Sequence, residues 1–371
     1  MNKFFQYIIN EKFLNLCRKL GILFFYLSII LFFLFIPKFL NFFKLNIFSD
    51  DIINIYAFTD IIPSQVVKEF EKETGIKVRL KYFDTNEDLF AKFKISKGEG
   101  YDLITISDYM VELLRKEDLL QKLDHSKIKV FENLDERLLN RYFDPGNIYS
   151  IPYVWLVLGI VYNKDKFKDQ TIDWNLVFKK SLDLNYKICM PEDELELVYL
   201  TSIYLFGKIE DLNKSELKQV EDILIKQKKW IESYTLAGSI YFLESDVIPL
   251  AVIPSNLAKK VIEKNSRFEF TVPKKGSLMS IENMAIPVCS KKSHLVYKLI
   301  NFMLSKKTLK TNIFEFGYNP ASKIAYDLPS VKFMKSNMLF PPDYIFDKLH
   351  LVHTNISLKS VNDIWLKVRA S

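Results

Sequence analysis

Strand and helix patterns alternate along the part of the chain that follows residue 51. Residues 52–57 (IINIYA) and 102–106 (DLITI) are typical of buried strands, and 77–83 (KVRLKYF) alternates apolar and polar side chains as a half-buried strand does. Helical patterns separate them, and Gly75 is a typical helix stop. Because alternating strands and helices pack as an α/β fold with right-handed crossovers, we expect a mixed, mainly parallel sheet.

The same alternation predicts where a ligand binds. In open α/β sheets, ligands bind outside the carboxyl ends of the strands. Three segments follow strand patterns in this way, at residues 57–60, 107–109 and 191–196. We therefore expect binding residues in these three turns.

The third turn is rich in acidic residues. Residues 188–199 read ICMPEDELELVY, with four acids between 192 and 196, and a helical pattern continues to Gly207. Asp193 and Glu196 are three residues apart, so a helix presents both on one face. Two interpretations stay open. The acids complement the dipole and cap the free N–H groups of a helix start, or Asp193 and Glu196 face a ligand.

An apolar segment lies near the start of the sequence. Residues 21–36 (GILFFYLSIILFFLFI) carry no charge, and with the apolar residues up to 43 the stretch is long enough to cross a bilayer. The alternative is a buried core helix. Basic residues are somewhat more frequent before this run than after it, which predicts a cytoplasmic N-terminus and an external body. No small-residue cleavage site follows, so residues 1–50 are interpreted as a signal anchor, with cleavage as the alternative.

Composition argues against several classes of protein. The net charge is +7, of which residues 1–50 carry +4 from six basic and two acidic residues. Residues 51–371, the body of the chain, are therefore too weakly basic for a nucleic-acid-binding protein. Cys189 and Cys289 lie in apolar runs and are predicted to be inert core thiols. The sequence shows no zinc-ligand spacing and no hydrolase motif, which predicts a non-enzymatic protein without a metal or cofactor.

Several segments, taken in chain order, carry a family resemblance. They are residues 54–78 (NIYAFTDIIPSQVVKEFEKETGIKV), 84–128, 143–155 (FDPGNIYSIPYVW), 298–304 (KLINFML) and 317–322 (GYNPAS). This set resembles the periplasmic spermidine/putrescine-binding proteins of ABC importers, densely over 52–155 and more loosely elsewhere.

The resemblance implies a type II periplasmic-binding-protein fold, a two-lobed clamshell that closes on its ligand by a hinge motion. Lobe 1 would comprise residues 52–155 and 283–328. Lobe 2 would comprise residues 156–282 and 329–371.

The resemblance also implies a polyamine site, whose residues are retained unevenly. The matching positions are Phe58, Thr59, Ser107, Tyr109, Asp193, Glu196, Glu282 and Tyr318. Phe58 stands where the family usually has Trp, and Glu282 is one methylene longer than the family's Asp. Family aromatics are replaced at three positions: Ile61, Pro254 and Ser280. A further family Gln aligns with Val352 or His353.

These residue types suit a polyamine. The three carboxylates can pair with buried ammonium groups, the three aromatic rings can cover the methylene chain, and the two hydroxyls can accept hydrogen bonds. The lost aromatics predict weaker binding or a shifted preference among polyamines. Packing of Phe58 and Tyr109 and a hinge role for Glu282 are the structural alternatives. Asp60 and Asp108 are interpreted as helix caps or solvated groups.

The function implied is that of a monomeric, extracytoplasmic polyamine-binding subunit. It would sit in the periplasm or at the outer face of the cytoplasmic membrane and deliver ligand to an ABC permease that a separate ATPase drives, in keeping with the absence of a Walker motif. Three alternatives remain: a sensor ectodomain, an enzyme on the same fold, and a binding protein for another cation or for iron.

Overall fold

The computed structural model describes residues 51–83, 85–179, 186–352 and 356–371, with three helical positions before them, Phe25, Ile29 and Phe32. The predicted signal anchor therefore lies outside the described residues apart from those three positions. Within the described part of the chain, no helix has the length and apolar character needed to cross a membrane. The chain from Ile53 to Ser371 forms one compact unit.

The described residues form eleven strands: β1 Ile52–Phe58, β2 Lys77–Phe83, β3 Leu103–Ser107, β4 Ser150–Asn163, β5 Ile188–Met190, β6 Ile231–Tyr234, β7 Leu250–Pro254, β8 Phe268–Thr271, β9 Ser277–Ala285, β10 Asn319–Pro320 and β11 Leu349–Leu351. The helices are α1 Ser64–Thr74, α2 Asn86–Ser96, α3 Asp108–Lys116, α4 Trp174–Phe178, α5 Glu194–Phe206, α6 Lys214–Gln227, α7 Ala237–Glu244, α8 Ser255–Lys264, α9 Ser293–Met303, α10 Lys306–Phe316, α11 Pro329–Ser336, α12 Asp343–Phe346 and α13 Leu358–Ala370.

The sheet is mixed, with the strand order β2-β1-β3-β9-β4-β7-β5-β6. Parallel pairs form its outer parts, where β1 pairs with β3 and β5 pairs with β6 and β7. The centre is antiparallel because β4 and β9 run antiparallel to each other, β9 also to β3 and β4 also to β7, whereas the short β11 lies parallel to β9. The local alternation of strands and helices predicts the outer parallel pairs. The antiparallel centre arises because long connections place β4 and β9 between them.

Strand β4 joins the two halves of this sheet. Its residues 150–157 pair with β9, and its residues 158–163 pair with β7 and β8. The strand is almost wholly buried, as its unbroken apolar sequence requires. One continuous strand therefore contributes to both halves of the body.

Two apolar clusters form the core. One surrounds β1, β3 and β9 and includes Phe70 and Trp155, and the other includes Trp174 and Tyr199. Successive residues of β7 point into different clusters, since side chains alternate along a strand. The clusters thus follow faces of the sheet, and the residue boundaries of the two lobes stay a prediction.

The two cysteines of the body are free. Cys189 is fully buried in β5, as predicted. The prediction was wrong for Cys289, which is exposed. Its apolar neighbourhood belongs to the turn after β9 and not to a strand, so the apolar run did not indicate burial.

Candidate functional site

The carboxyl end of β3 lies beside β9, and their register brings two predicted site residues together. Ser107 is paired directly opposite Glu282, a position at which cross-strand side chains approach each other. Ser107 occupies the N-cap position of α3, but its side chain caps no backbone N–H group. Its hydroxyl oxygen is buried and has no hydrogen-bond partner within the described ranges.

Glu282 is half-buried, and no basic side chain of the described part of the chain contributes to its pKa. Burial raises its pKa to about 8, and the nearby charge of Asp108 adds to the effect. The hydroxyl of Ser280 lies 3.4 Å away, a long contact that only partly offsets this rise. Glu282 is therefore poised to lose a proton when a positive charge arrives.

Asp108 belongs to the same group, which sequence reasoning missed. It is 1% exposed, so the solvated interpretation was wrong, but its carboxylate accepts from a backbone N–H group in the first turn of α3, in keeping with a role in capping this helix. Its carboxylate accepts from the backbone N–H of Ile281 at 2.9 Å and of Tyr109 at 2.7 Å. Burial outweighs these bonds and raises its pKa to about 7. The signal in the sequence was an acid placed directly after a short strand rich in apolar residues.

Tyr318 lies within electrostatic range of Glu282. It follows Gly317, whose φ of +81° ends helix α10. Tyr318 is buried, and its pKa is raised by burial and by the charges of Glu282 and Asp60. Asp60 itself is exposed and adopts a left-handed backbone conformation. Tyr318 is thus close to the carboxyl group of Glu282, as the predicted site requires.

The remaining predicted residues of this side lie at the ends of β1 and β3. Phe58 is half-buried, and its ring meets that of Phe83 edge-on with 5.6 Å between centroids. Thr59 is exposed, and Tyr109 is half-buried against the first apolar cluster. Because β1 and β3 are parallel, their carboxyl ends lie at one edge of the sheet. Phe58 and Tyr109 thus contribute both to packing and to this edge.

The acidic turn forms a second group. Asp193 is exposed and is the N-cap of α5, where its carboxylate accepts from the backbone N–H of Glu196 at 2.9 Å. Helix α5 begins at Glu194, directly after this N-cap. The carboxylate of Glu192 accepts from the backbone N–H of Leu236 at 2.7 Å and so connects the turn to the segment that follows β6.

Glu196 is the unusual member of the turn. One of its carboxyl oxygens is buried and accepts no hydrogen bond from any residue that the structure describes. Burial raises its pKa to about 8, and the charges of Asp193 and Glu192 raise it further. Helix α5, which carries Glu196, packs against β9, which carries Glu282. The structure therefore gives two carboxyl groups of raised pKa on two elements in contact.

Known proteins match this chain over most of its length. A family model for bacterial extracellular solute-binding proteins matches residues 65–341. The chain belongs to this family. The solute-binding protein is 31% identical over 302 residues to the spermidine/putrescine-binding periplasmic protein of Salmonella typhimurium, covering 79% of this chain and 84% of that protein. It is 29% identical over 316 residues to the putrescine-binding periplasmic protein PotF of Escherichia coli, covering 80% and 85%.

Solved structures agree. The spermidine/putrescine ABC transporter substrate-binding protein PotD from Streptococcus pneumoniae superposes with a TM-score of 0.77 and 28% identity, over 86% of this chain and 98% of that one. A putative spermidine/putrescine ABC transporter protein from Listeria monocytogenes gives 0.75 and 30%, over 86% and 99%. The predicted α/β periplasmic-binding-protein fold is confirmed.

Several positions at which this solute-binding protein departs from the family pattern make specific contacts in the structure. Ile61 is fully buried, and its carbonyl accepts from the side-chain amide of Asn312. Pro254 ends β7, and Ser280 contacts Glu282. The carbonyl of Val352 accepts from the hydroxyl of Tyr142 at 2.5 Å. His353, the other position considered for the family's Gln, lies outside the described residues.

Two surface cavities were also found on the body. One, of 250 Å³, is lined by Arg137, Arg141, Phe346, Asp347 and Leu349. The other, of 350 Å³, is lined by Lys166, Tyr186, Lys187, Val247 and Pro249. Neither includes a predicted site residue. Among the described residues, no three His, Cys, Asp or Glu side chains are grouped as metal ligands.

Proposed function

We propose that this solute-binding protein is the extracytoplasmic polyamine-binding subunit of an ABC importer. The observation that supports this most directly is the pair of raised carboxyl pKa values at Glu196 and Glu282, each caused by burial and by other carboxyl groups. Among the residues that the structure describes, no basic side chain contributes to either shift. A buried carboxylate is stable only when paired, so both groups favour a ligand that brings its own positive charges.

A polyamine meets this requirement with one ammonium for each group. One end would pair with Glu282 beneath the ring of Tyr318, and the other with Glu196 and Asp193 at the start of α5. Phe58 and Tyr109 would cover the methylenes, with Thr59 and Ser107 accepting hydrogen bonds from N–H groups. The unpartnered hydroxyl of Ser107 supports this assignment, since a buried hydroxyl without a partner is costly.

The assembly we propose follows from the family. Relatives are named as periplasmic binding proteins for spermidine and putrescine, and one solved structure as the substrate-binding protein of an ABC transporter. We infer two lobes, 52–155 with 283–328 and 156–282 with 329–371, which close on the ligand. The protein would act without catalysis as a monomer, held at the outer face of the membrane by residues 1–50, and deliver its ligand to a permease that a cytoplasmic ATPase drives.

Calorimetric titration of the full-length protein with putrescine, spermidine and spermine tests this function. We expect binding that weakens at least about tenfold in Glu282→Gln and in Glu196→Gln, because a charge-assisted hydrogen bond contributes about 1.5–3 kcal/mol. Glu99→Gln is the matched control. Glu99 is exposed in the turn before β3, at the end of the strand opposite Ser107, and its substitution should leave the affinity unchanged.

The outcomes separate the function from the site. Binding that is undiminished in both variants would reject the site residues while leaving the polyamine function standing. Failure of all three polyamines to bind at millimolar concentration, while another cationic solute binds, would reject the function. The replaced aromatics at Ile61, Pro254 and Ser280 favour this second candidate, a binding protein for a different small cation, and make that comparison worthwhile.

A further inference from the structure

The 250 Å³ cavity is a separate feature of the body. It lies where the segment after residue 136 meets the end of α12 and the start of β11. Pockets for drug-sized ligands have volumes of about 300–1,000 Å³, so this one suits a molecule of only a few heavy atoms. Its walls combine two arginines, one aspartate and two apolar side chains.

Arg137, the first arginine, is fully engaged. It donates to Asp135 through Nε at 3.0 Å and through Nη2 at 2.6 Å, and to Asp343 through Nη1 at 2.5 Å. Its guanidinium also lies 4.4 Å from the ring centre of Phe346. Two carboxylates therefore already offset its charge, and Arg137 serves as a rigid wall of the cavity.

Arg141, the second arginine, is different. Its Nε is buried without a hydrogen-bond partner, and no ion pair joins it to any residue of the described ranges. Burial lowers its pKa, and the charges of Asp135 and Asp108 act in the opposite direction. A guanidinium keeps its charge at any physiological pH. An unpaired, partly desolvated guanidinium at a cavity wall is a strong binding site for a carboxylate, to which it can donate two parallel hydrogen bonds.

Asp347 determines what kind of carboxylate ligand this cavity can bind. It is exposed and lines the same cavity, so a simple anion beside Arg141 would face a second negative charge. A molecule with a carboxylate at one end and an ammonium at the other satisfies both walls. Phe346 and Leu349 supply apolar surface for the short chain between them. We propose that this cavity is a second ligand site, which binds a short zwitterionic amino acid with its carboxylate on Arg141 and its ammonium on Asp347.

Three probes of matched size test the proposal on the full-length protein: β-alanine with both charges, propionate with the carboxylate alone, and propylamine with the ammonium alone. Titration followed by ligand-observed NMR should show β-alanine binding in the millimolar range and the other two at least tenfold more weakly. Arg141→Gln should weaken β-alanine binding at least tenfold. Asp347→Asn should reduce it to the level of propionate. Arg79→Gln, an exposed arginine on β2, is the matched control and should have no effect.

Several results would overturn the proposal. The first three are no binding of β-alanine, binding of propionate as tight as that of β-alanine, and undiminished β-alanine binding to Arg141→Gln. The fourth is complete displacement of β-alanine by putrescine, which would place β-alanine in the polyamine site. Asp347 is exposed, so Asp347→Asn tests the site even where the half-buried Arg141 variant folds poorly. The proposal does not depend on the polyamine function, because different measurements test the two. Putrescine binding to Glu282→Gln tests the polyamine site, and β-alanine binding to Asp347→Asn tests this cavity.

Discussion

A buried carboxyl group with no cation nearby keeps its proton, and this determines the behaviour of the two central residues of the proposed site. Glu282 faces Asp108 on α3, and Glu196 faces Asp193 and Glu192 in its own turn. In each case the neighbours are acids, so burial and charge act in the same direction. The unliganded protein should therefore be largely protonated at both positions below about pH 7.

Polyamine affinity should rise with pH as a consequence. Ammonium groups bind the ionised carboxyls, so the ligand lowers both pKa values from about 8 and expels protons. Between about pH 6 and pH 8, the dissociation constant should fall by up to about tenfold per pH unit for each group that loses its proton. Titrations in buffers of different ionisation enthalpy count the protons released.

Glu282→Gln provides the check on this prediction. It should release about one proton fewer per ligand bound, because one of the two carboxyls proposed to pair with the ligand no longer titrates. Glu99→Gln should release as many protons as the unmodified protein. If the dissociation constant did not change across this pH range, neither Glu282 nor Glu196 would pair with an ammonium group of the ligand.

At the scale of elements, helix α5 connects folding with binding through Asp193. Its carboxylate caps the helix by accepting from the backbone N–H of Glu196, and the same group is proposed to meet an ammonium. Asp193→Ala should lower the free energy of unfolding by about 1 kcal/mol through loss of the cap. Asp193→Asn should keep most of that stability, since Asn caps equally well, yet weaken polyamine binding.

Urea denaturation and calorimetry, run on the same samples, separate the two roles. Asp169→Ala is the matched control, because Asp169 is exposed in a loop and caps no helix. If Asp193→Asn bound polyamine as tightly as the unmodified protein, Asp193 would be a cap alone, and the first interpretation of the acidic turn would be correct.

Two glycines that end helices offer a second test at this scale. Gly75 and Gly317 have similar φ values, +74° and +81°. A Cβ at Gly75 would meet nothing within 4 Å, whereas at Gly317 it would lie 2.8 Å from the carbonyl oxygen of Asn256. Gly75→Ala should cost about 1 kcal/mol of stability for the conformation alone, and Gly317→Ala more, because backbone must move.

The same pair separates stability from binding. Gly317→Ala should shift Tyr318 and weaken polyamine binding, while Gly75→Ala should leave the affinity unchanged. Thermal unfolding and calorimetry on both variants measure this difference. Equal losses of stability would show that the turn at Gly317 adjusts freely and that its position does not depend on α8.

Considered as a whole molecule, the fold was predictable from sequence to the extent that its determinants are local. Gly75 and Gly207 end their helices as predicted, because left-handed helix caps select glycine. The burial of Asp108 was not predictable, since it depends on the backbone of Ile281, which lies far along the chain on β9. The antiparallel centre formed by β4 and β9 escaped prediction for the same reason. The family resemblance, and not periodicity, directed attention to Glu282.

The proposed hinge makes a prediction for the whole molecule. If two lobes close on a polyamine, saturating putrescine should reduce the radius of gyration measured by small-angle X-ray scattering, because the clamshell becomes more compact. A ligand shifts such an equilibrium only through its preference for the closed form, and here that preference comes from pairing Glu282 and Glu196 with the same molecule. Glu282→Gln should therefore show little compaction at the same putrescine concentration, whereas Glu99→Gln should compact fully. An unchanged radius in samples that calorimetry shows to be saturated would mean that ligand is captured without closure.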